Sequence, residues 1–336
     1  MHGEELVRCF VTGGTGFIGS YIVRLLSEAD HEVFVLIRET SDLQLIEDLP
    51  ITTVLGDVVE PETLDDLVPS DTDCMFHNAA IMDDWGGKSK YFPVNVGGTE
   101  NILEVCRRKD IPRFIQTSST GVYGFPNKKE PIDEETQWNP MNAYQKSKAE
   151  SERLVFERAD EYGFKASAVR APVVFGQGDM FTGPQILERM KDGNMVVFGG
   201  GDNTQSYVHA EDFARCLVLA GEQIQNSAGE AYNVGSFTCE FRELLEAFAK
   251  ELNVEPDFQN IPYSLGVGIG GFAAKLYEVF GRENAPLITS FRVKMFGSEY
   301  EIDWSKAHEQ LGYEPRWDLE STAKDVVDWG IHFKPR

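Results

Sequence analysis

Apolar residues in the first half of the chain follow two alternating rhythms. Short, nearly continuous runs at 6–12 (LVRCFVT), 32–37 (EVFVLI), 51–57 (ITTVLGD), 73–80 (DCMFHNAA) and 113–119 (RFIQTSS) have the length and content of buried strands. Between them, apolar positions recur at helical spacing: Ile18, Ile22, Leu25 and Leu26 after Gly16, then the stretch after Asn95, then Asn142 to Ala159. Strands alternating with helices predict βαβ units and a parallel sheet covered on both faces. A run at 165–176 (KASAVRAPVVFG) predicts an extension of that sheet, and one at 231–235 (AYNVG) a return strand. From about residue 177 the rhythm loosens and glycine and proline interruptions increase, as in FGGGDNTQ (198–205). The pattern predicts an α/β protein: a sheet-forming region over 1–176, rejoined near 230–235, and a smaller α/β region over 177–336.

Composition narrows the classes. The 336 residues are 42% hydrophobic, enough for a sizeable core. The formal net charge of −24 repels phosphate backbones and anionic lipid, so no nucleic-acid partner is expected. Cys9, Cys74, Cys106, Cys216 and Cys239 are scattered and form no CxxC pair, which predicts buried thiols rather than bridges or a zinc site. His77, His209 and His308 lie far apart in the chain, and no metal is expected. The acidic start runs straight into a strand, so a cytoplasmic protein without a leader is expected. The apolar stretch from Leu265 to Ala274 is too short and glycine-rich for stable membrane insertion. It is expected to form a buried or lid helix, with a substrate-covering or membrane-grazing helix as the alternative.

The first strand ends in TGGTGFIG (12–19), with Gly13, Gly16 and Gly19 spaced three apart. A strand that turns sharply into a helix needs glycine where φ is positive. Missing side chains let backbone approach a pyrophosphate, and the helix start favours its charge. The last glycine allows helix and strand to pack closely. Strand, glycines and amphipathic helix together predict a dinucleotide site. The second strand ends Leu36-Ile37-Arg38. NAD-binding folds usually carry an acid there for the ribose 2′-hydroxyl. Arg38 instead suits a 2′-phosphate, favouring NADP over NAD; a solvated charge or an adenine-stacking group is the competing reading.

Tyr144 and Lys148 sit four residues apart in NAYQKSKAE (142–150), on one face of a predicted helix. A free phenol titrates near 10, and a nearby ammonium together with an oxidised nicotinamide is expected to lower that value. Tyr144 then exchanges a proton with a substrate oxygen as hydride moves at carbon. Ser119, at the end of the fifth strand, is expected to align that oxygen, with Ser118 its nearest rival.

TGGTGFIG, HNAA (77–80), VNVGGTENILE (94–104), TSSTGVYG (117–124) and YQKSK (144–148) together resemble the extended short-chain dehydrogenase/reductase family, of NAD-dependent epimerase/dehydratase type. Later segments, VRAPVVFGQGD (169–179), SYVHAEDFA (206–214) and LGYEPRWDLESTAKDVVDW (311–329), resemble it too. The resemblance implies a Rossmann doubly wound parallel sheet of about seven strands with a smaller C-terminal substrate region. It implies a catalytic triad of Ser119, Tyr144 and Lys148. It also implies cofactor contacts from Gly13, Gly16, Phe17, Ile18 and Gly19, from Asp57 and Val58 near adenine, from Ala79, Ala80 and Asn95, and from Pro172 and Val174 by the nicotinamide. Homodimers through the helices at about 95–108 and 143–159 are common in the family.

Branch features divide. Nucleotide-sugar epimerases usually carry an asparagine where Val173 stands and a diphosphate-clamping arginine near Gln205 or Ser206. Sugar dehydratases place an acidic pair where Thr120 and Gly121 follow Ser119. The segment 286–315 is more similar to the 3β-hydroxysteroid dehydrogenase and dihydroflavonol reductase branch, which implies an alcohol or ketone on an apolar small molecule. A sugar or nucleotide-sugar epimerase with tightly bound NAD, and a non-catalytic NADP(H) sensor, remain the alternatives. Asp83, Asp84 and Trp85 follow the fourth strand, where substrate contacts are expected; Phe181, Tyr207 and Phe272 are expected to line an apolar pocket, and His209 either faces substrate or makes a structural hydrogen bond.

Overall fold

A computed structural model describes residues 7–280, 282 and 284–332. The residues that bear on a leader, 1–6, lie outside the described residues. In chain order the elements begin β1 (Arg8–Thr12), α1 (Phe17–Glu28), β2 (Glu32–Ile37), β3 (Thr52–Leu55), α2 (Pro61–Leu67), β4 (Cys74–His77), α3 (Lys88–Phe92), a π-helical turn over Pro93–Gly98, and α4 (Thr99–Arg108). They continue with β5 (Arg113–Ser119), a 3₁₀ turn over Thr120–Tyr123, α5 (Ala143–Tyr162), β6 (Lys165–Ala171), β7 (Val173–Phe175), α6 (Thr182–Lys191), β8 (Met195–Phe198) and β9 (Thr204–His209). The last are α7 (Ala210–Glu222), α8 (Ile224–Ser227), β10 (Ala231–Asn233), β11 (Phe237–Glu240), α9 (Phe241–Leu252), β12 (Phe258–Ile261), α10 (Tyr263–Val279), α11 (Ser290–Gly297), α12 (Ser305–Leu311) and α13 (Leu319–His332).

Seven parallel strands form the main sheet in the order β10-β6-β5-β4-β1-β2-β3. Side chains alternate across it. Cys9 and Val11 of β1 pack in one core with Ile22 and Val23 of α1 and Phe213 and Leu217 of α7. Phe10, between them, packs in the other core with Ile102 and Leu103 of α4 and Val155 of α5. Both faces are therefore covered, which explains the unbroken apolar runs. All five cysteines are buried free thiols. Strand order reverses between β1 and β4, and crevices form at such switch points beyond the strands' carboxyl ends.

The run at 165–176 does not continue as one strand. Proline lacks the N–H that a ladder needs, and the chain breaks at Pro172. β6 stays in the main sheet, while β7 leaves it to join β9 and β11 in a three-stranded sheet. That sheet, with α6, α9 and α13, encloses a second core around Phe175, Tyr207, Phe241 and Phe248. The stretch from Leu265 to Ala274 is not buried. It lies in α10 with Leu265, Ile269 and Phe272 exposed, and packs its Gly270 edge on the backbone of Thr289 and Ser290. Among the described residues no helix is long and apolar enough to cross a membrane.

Candidate active site

A cleft of about 590 Å³ opens at the switch point. Its floor is the glycine turn. Gly13 has φ of 68°, and a Cβ there would stand 2.7 Å from the Ala79 nitrogen. At Gly19 a Cβ would stand 2.0 Å from the Gly13 carbonyl oxygen, so helix and turn touch backbone to backbone. No side chain caps α1 at Gly16, leaving its first N–H groups for an anion. Asn78 locks the turn by donating to the Gly13 carbonyl at 3.0 Å, and Thr12 accepts from the Ala79 N–H at 3.2 Å. This backbone cradle fits a dinucleotide's diphosphate.

Gly13, Gly16, Phe17, Ile18, Arg38, Asp57, Val58, Ala79, Ala80, Pro172 and Val174 all line the cleft. Gly19 supports it from beneath. Asn95 does not line it: its carboxamide accepts from the Ile81 N–H at 2.7 Å and donates to Ile81 and Ser147, so it shapes the loop after β4 instead. The exposed Arg38 stands beside Ser41, whose hydroxyl accepts from the Arg38 backbone N–H at 2.9 Å.

Ser119, Tyr144 and Lys148 share the cleft wall. Asn142 and Gln145 cap the start of α5 reciprocally: Asn142 accepts from the Gln145 N–H at 2.8 Å, and Gln145 accepts from the Met141 N–H at 2.7 Å. This fixes the turn that carries Tyr144, whose ring also meets Tyr91 edge-on at 6.0 Å. The Ser119 hydroxyl accepts from the Gly121 N–H at 3.0 Å, which caps the 3₁₀ turn, and hydrogen-bonds Tyr144. Ser118 instead turns into the protein, donating to Glu152.

Burial dominates the acid-base balance of these groups. Burial pushes the Tyr144 phenol up to about 12, against a smaller opposing effect of its Ser119 hydrogen bond. Burial pushes the Lys148 ammonium down to about 8, partly opposed by Glu152. Lys148 donates to the Thr117 carbonyl at 2.6 Å. Burial thus favours the protonated phenol in the free protein. His77 is likewise kept neutral, pushed down to about 3 by burial and by Lys148, between Thr12 at 2.8 Å and Thr99 at 3.0 Å.

The other end of the cleft is largely apolar: Ile81, Met82, Phe125, Phe181, Phe291 and Met295 line it with Tyr300, Val173, Gln205 and Ser206. Arg38 and Lys148 are the only cationic side chains among the described lining residues. Gln205 is fully engaged, donating to the Met295 and Ser298 carbonyls and accepting from Tyr207. Four expectations on the substrate side need correction, besides Asn95. Tyr207 is buried in the second core against Phe175 and Phe237 rather than facing the cleft. Phe272 is 69% exposed on α10, outside the lining. Asp83 is taken up by Lys90, and Trp85 donates its indole N–H to the Arg282 carbonyl at 3.3 Å. Neither lines the cleft; their neighbour Asp84 pairs with Arg292. His209 is structural, bonded to Asp325 at 3.1 Å and stacked on Trp317 at 3.6 Å. Sequence reasoning missed Ser41, Asn78, Phe125, Phe291, Met295 and Tyr300. Asn78 lay within the quoted HNAA turn; the aromatic residues had no local signal.

The chain is similar to several known proteins along most of its length. It is 26% identical to a 3beta-hydroxysteroid-dehydrogenase/decarboxylase isoform of Arabidopsis thaliana, over 97% of this chain and 80% of the relative. It is 26% identical to a 2-alkyl-3-oxoalkanoate reductase of Shewanella oneidensis, over 95% of this chain and 85% of the relative. The crystal structure of gox2253 superposes with a TM-score of 0.82 at 27% identity, covering 97% of this chain and 98% of the other. Residues 9–235 match the model of the NAD dependent epimerase/dehydratase family, more than half of the sequence. With its seven-stranded parallel sheet and glycine cradle, the chain belongs to the NAD-dependent epimerase/dehydratase family.

Proposed function

We propose that this enzyme interconverts a secondary alcohol and a ketone on an uncharged, largely apolar small molecule, with Tyr144 and Lys148 as its acid-base pair and NADP(H) favoured over NAD(H). The observation that carries this reading is the junction of two environments: Ser119, Tyr144 and Lys148 stand between a backbone cradle for a diphosphate and an apolar compartment without a cation of its own. The names of the two enzyme relatives point to the same alcohol–ketone chemistry.

A bound nicotinamide dinucleotide supplies or accepts the hydride. Tyr144, held protonated at neutral pH, gives its proton to the carbonyl oxygen in the reducing direction. Ser119 donates a hydrogen bond to that oxygen and orients it. Lys148, charged below about pH 8, stabilises the phenolate left behind. Apolar side chains around the substrate exclude water and strengthen these interactions. Arg38 and Ser41 together offer a charged and a neutral donor for a 2′-phosphate.

The reading includes a homodimer formed through α4 and α5. Arg158 of α5 grips Glu100 of α4 at 2.9 Å, and none of the exposed large hydrophobic side chains among the described residues lies on either helix. Sedimentation is expected to show dimers, and a monomer at all concentrations would remove this part of the reading.

The test of function is a panel of apolar ketones and UDP-sugars incubated with NADPH, with products identified by mass spectrometry. Reduction of an apolar ketone by the wild type, lost in Tyr144→Phe, is expected. Interconversion of sugar epimers without net cofactor turnover would instead support the epimerase reading. Tight cofactor binding with no turnover in any arm would support a sensor.

A further inference from the structure

One acid lies buried behind the wall that carries the three reacting groups. Glu152 is fully buried, one helical turn beyond Lys148 on the same face of α5. Its carboxylate accepts from the Arg170 Nε at 3.0 and 3.1 Å and from the Ser118 hydroxyl. Arg170, on β6, also donates to the Tyr123 hydroxyl at 2.6 Å, and Tyr123 donates to Asn233 of β10 at 2.9 Å. Three strands, the 3₁₀ turn and α5 therefore meet around one carboxylate. An internal ion pair is a poor device for stability alone, because desolvating two charges offsets most of their attraction. Its location suits another use. Ser118 lies between Thr117, whose carbonyl holds Lys148, and Ser119, which bonds Tyr144.

We propose that Glu152 is a positioning residue for the reaction set out above, and so rests on that reading: it keeps Lys148 charged and fixes the end of β5 that carries Thr117 and Ser119. The groups around Lys148 leave this task to one residue. Tyr144, on the same helix, is a neutral phenol, and His77 from β4 is a neutral imidazole. Thr117 from β5 offers only a carbonyl. The guanidinium from β6 is spent on Glu152 itself. Glu152 is the charged group that favours the ammonium against burial.

The test is competitive acylation of Lys148 with a small anhydride across pH, read by mass spectrometry on the folded protein, which needs no substrate. The wild type is expected to label with a midpoint near 8. In Glu152→Gln the midpoint should fall by about one pH unit or more, while Glu152→Asp should stay near wild type. Hydride transfer in Glu152→Gln should then fall about fivefold at pH 8 and little at pH 6. If Glu152→Gln does not fold, the double variant Glu152→Gln/Arg170→Met removes the pair as a unit, and a smaller downward shift is expected, because losing the guanidinium offsets part of losing the carboxylate. A folded glutamine variant whose Lys148 midpoint stays at the wild-type value overturns the proposal. A wild type that labels as expected yet reduces no ketone would overturn the proposed reaction while leaving the Glu152–Lys148 coupling standing.

Discussion

The two ends of the cleft are built from different materials. The glycine end is backbone: Gly13 and Gly19 leave no room for a Cβ, and Thr12 and Asn78 lock the turn. The far end is side chain: Phe125, Phe291, Met295 and Tyr300 come from a loop, from α11 and from the segment beyond it. Backbone recognition tolerates little change, because any side chain at the turn collides with main chain. A wall of side chains changes with each substitution and leaves the fold intact. Under the proposed function, the backbone end would hold an invariant group and the side-chain end would select among substrates.

The largest expected effect lies where the two ends meet. Tyr144→Phe should lower hydride transfer by about 10²–10⁴-fold while NADPH binding stays within about twofold, measured by single-turnover absorbance and fluorescence titration. Equal loss of binding and transfer would break the division between the ends. Next comes Gly19→Ala, whose Cβ would stand 2.0 Å from the Gly13 oxygen. It should cost about 1–3 kcal/mol of stability in urea unfolding and weaken NADPH more than tenfold. Gly268→Ala, in α10 with nothing within 4 Å of its Cβ, should instead gain about 0.5–1 kcal/mol with NADPH binding unchanged. Arg38→Ala should weaken NADPH about tenfold and leave NADH unaffected, by isothermal titration. An equal effect on both would assign Arg38 to adenine stacking.

A prediction that concerns stability alone is a pH dependence centred on His77. Its folded value, about 3, lies below the unfolded 6.5, so the unfolded chain takes up the proton first. Stability from this group is complete above pH 6.5 and declines as pH falls toward 3. Melting curves between pH 7 and 4 should fall less steeply in His77→Asn than in the wild type.

The same division governs how much the sequence reveals. The glycine spacing, the β1 run and the Tyr144–Lys148 pair are local signals, because backbone turns and one helix face are set by nearby residues. Pro172 marked the break between β6 and β7, yet the apolar run across it read as continuous. Tyr207 read as a pocket residue, yet alternation along β9 directs its side chain into the second core while its neighbour Ser206 lines the cleft. Phe291 and Met295 reach the cleft through tertiary packing of α11, which no local spacing encodes. Glu152 carried a usable signal, standing four residues after Lys148 on one helix face, but its partners Ser118 and Arg170 lie on two other strands.

The most direct measurement uses NADPH deuterated at the transferable position, with an apolar ketone that the wild type reduces. Deuterium is expected on the carbinol carbon of the product with the wild type, and with Tyr144→Phe at a rate lower by about 10²–10⁴-fold. Unlabelled alcohol from the wild type, or undiminished label transfer by the phenylalanine variant, would contradict hydride transfer assisted by Tyr144.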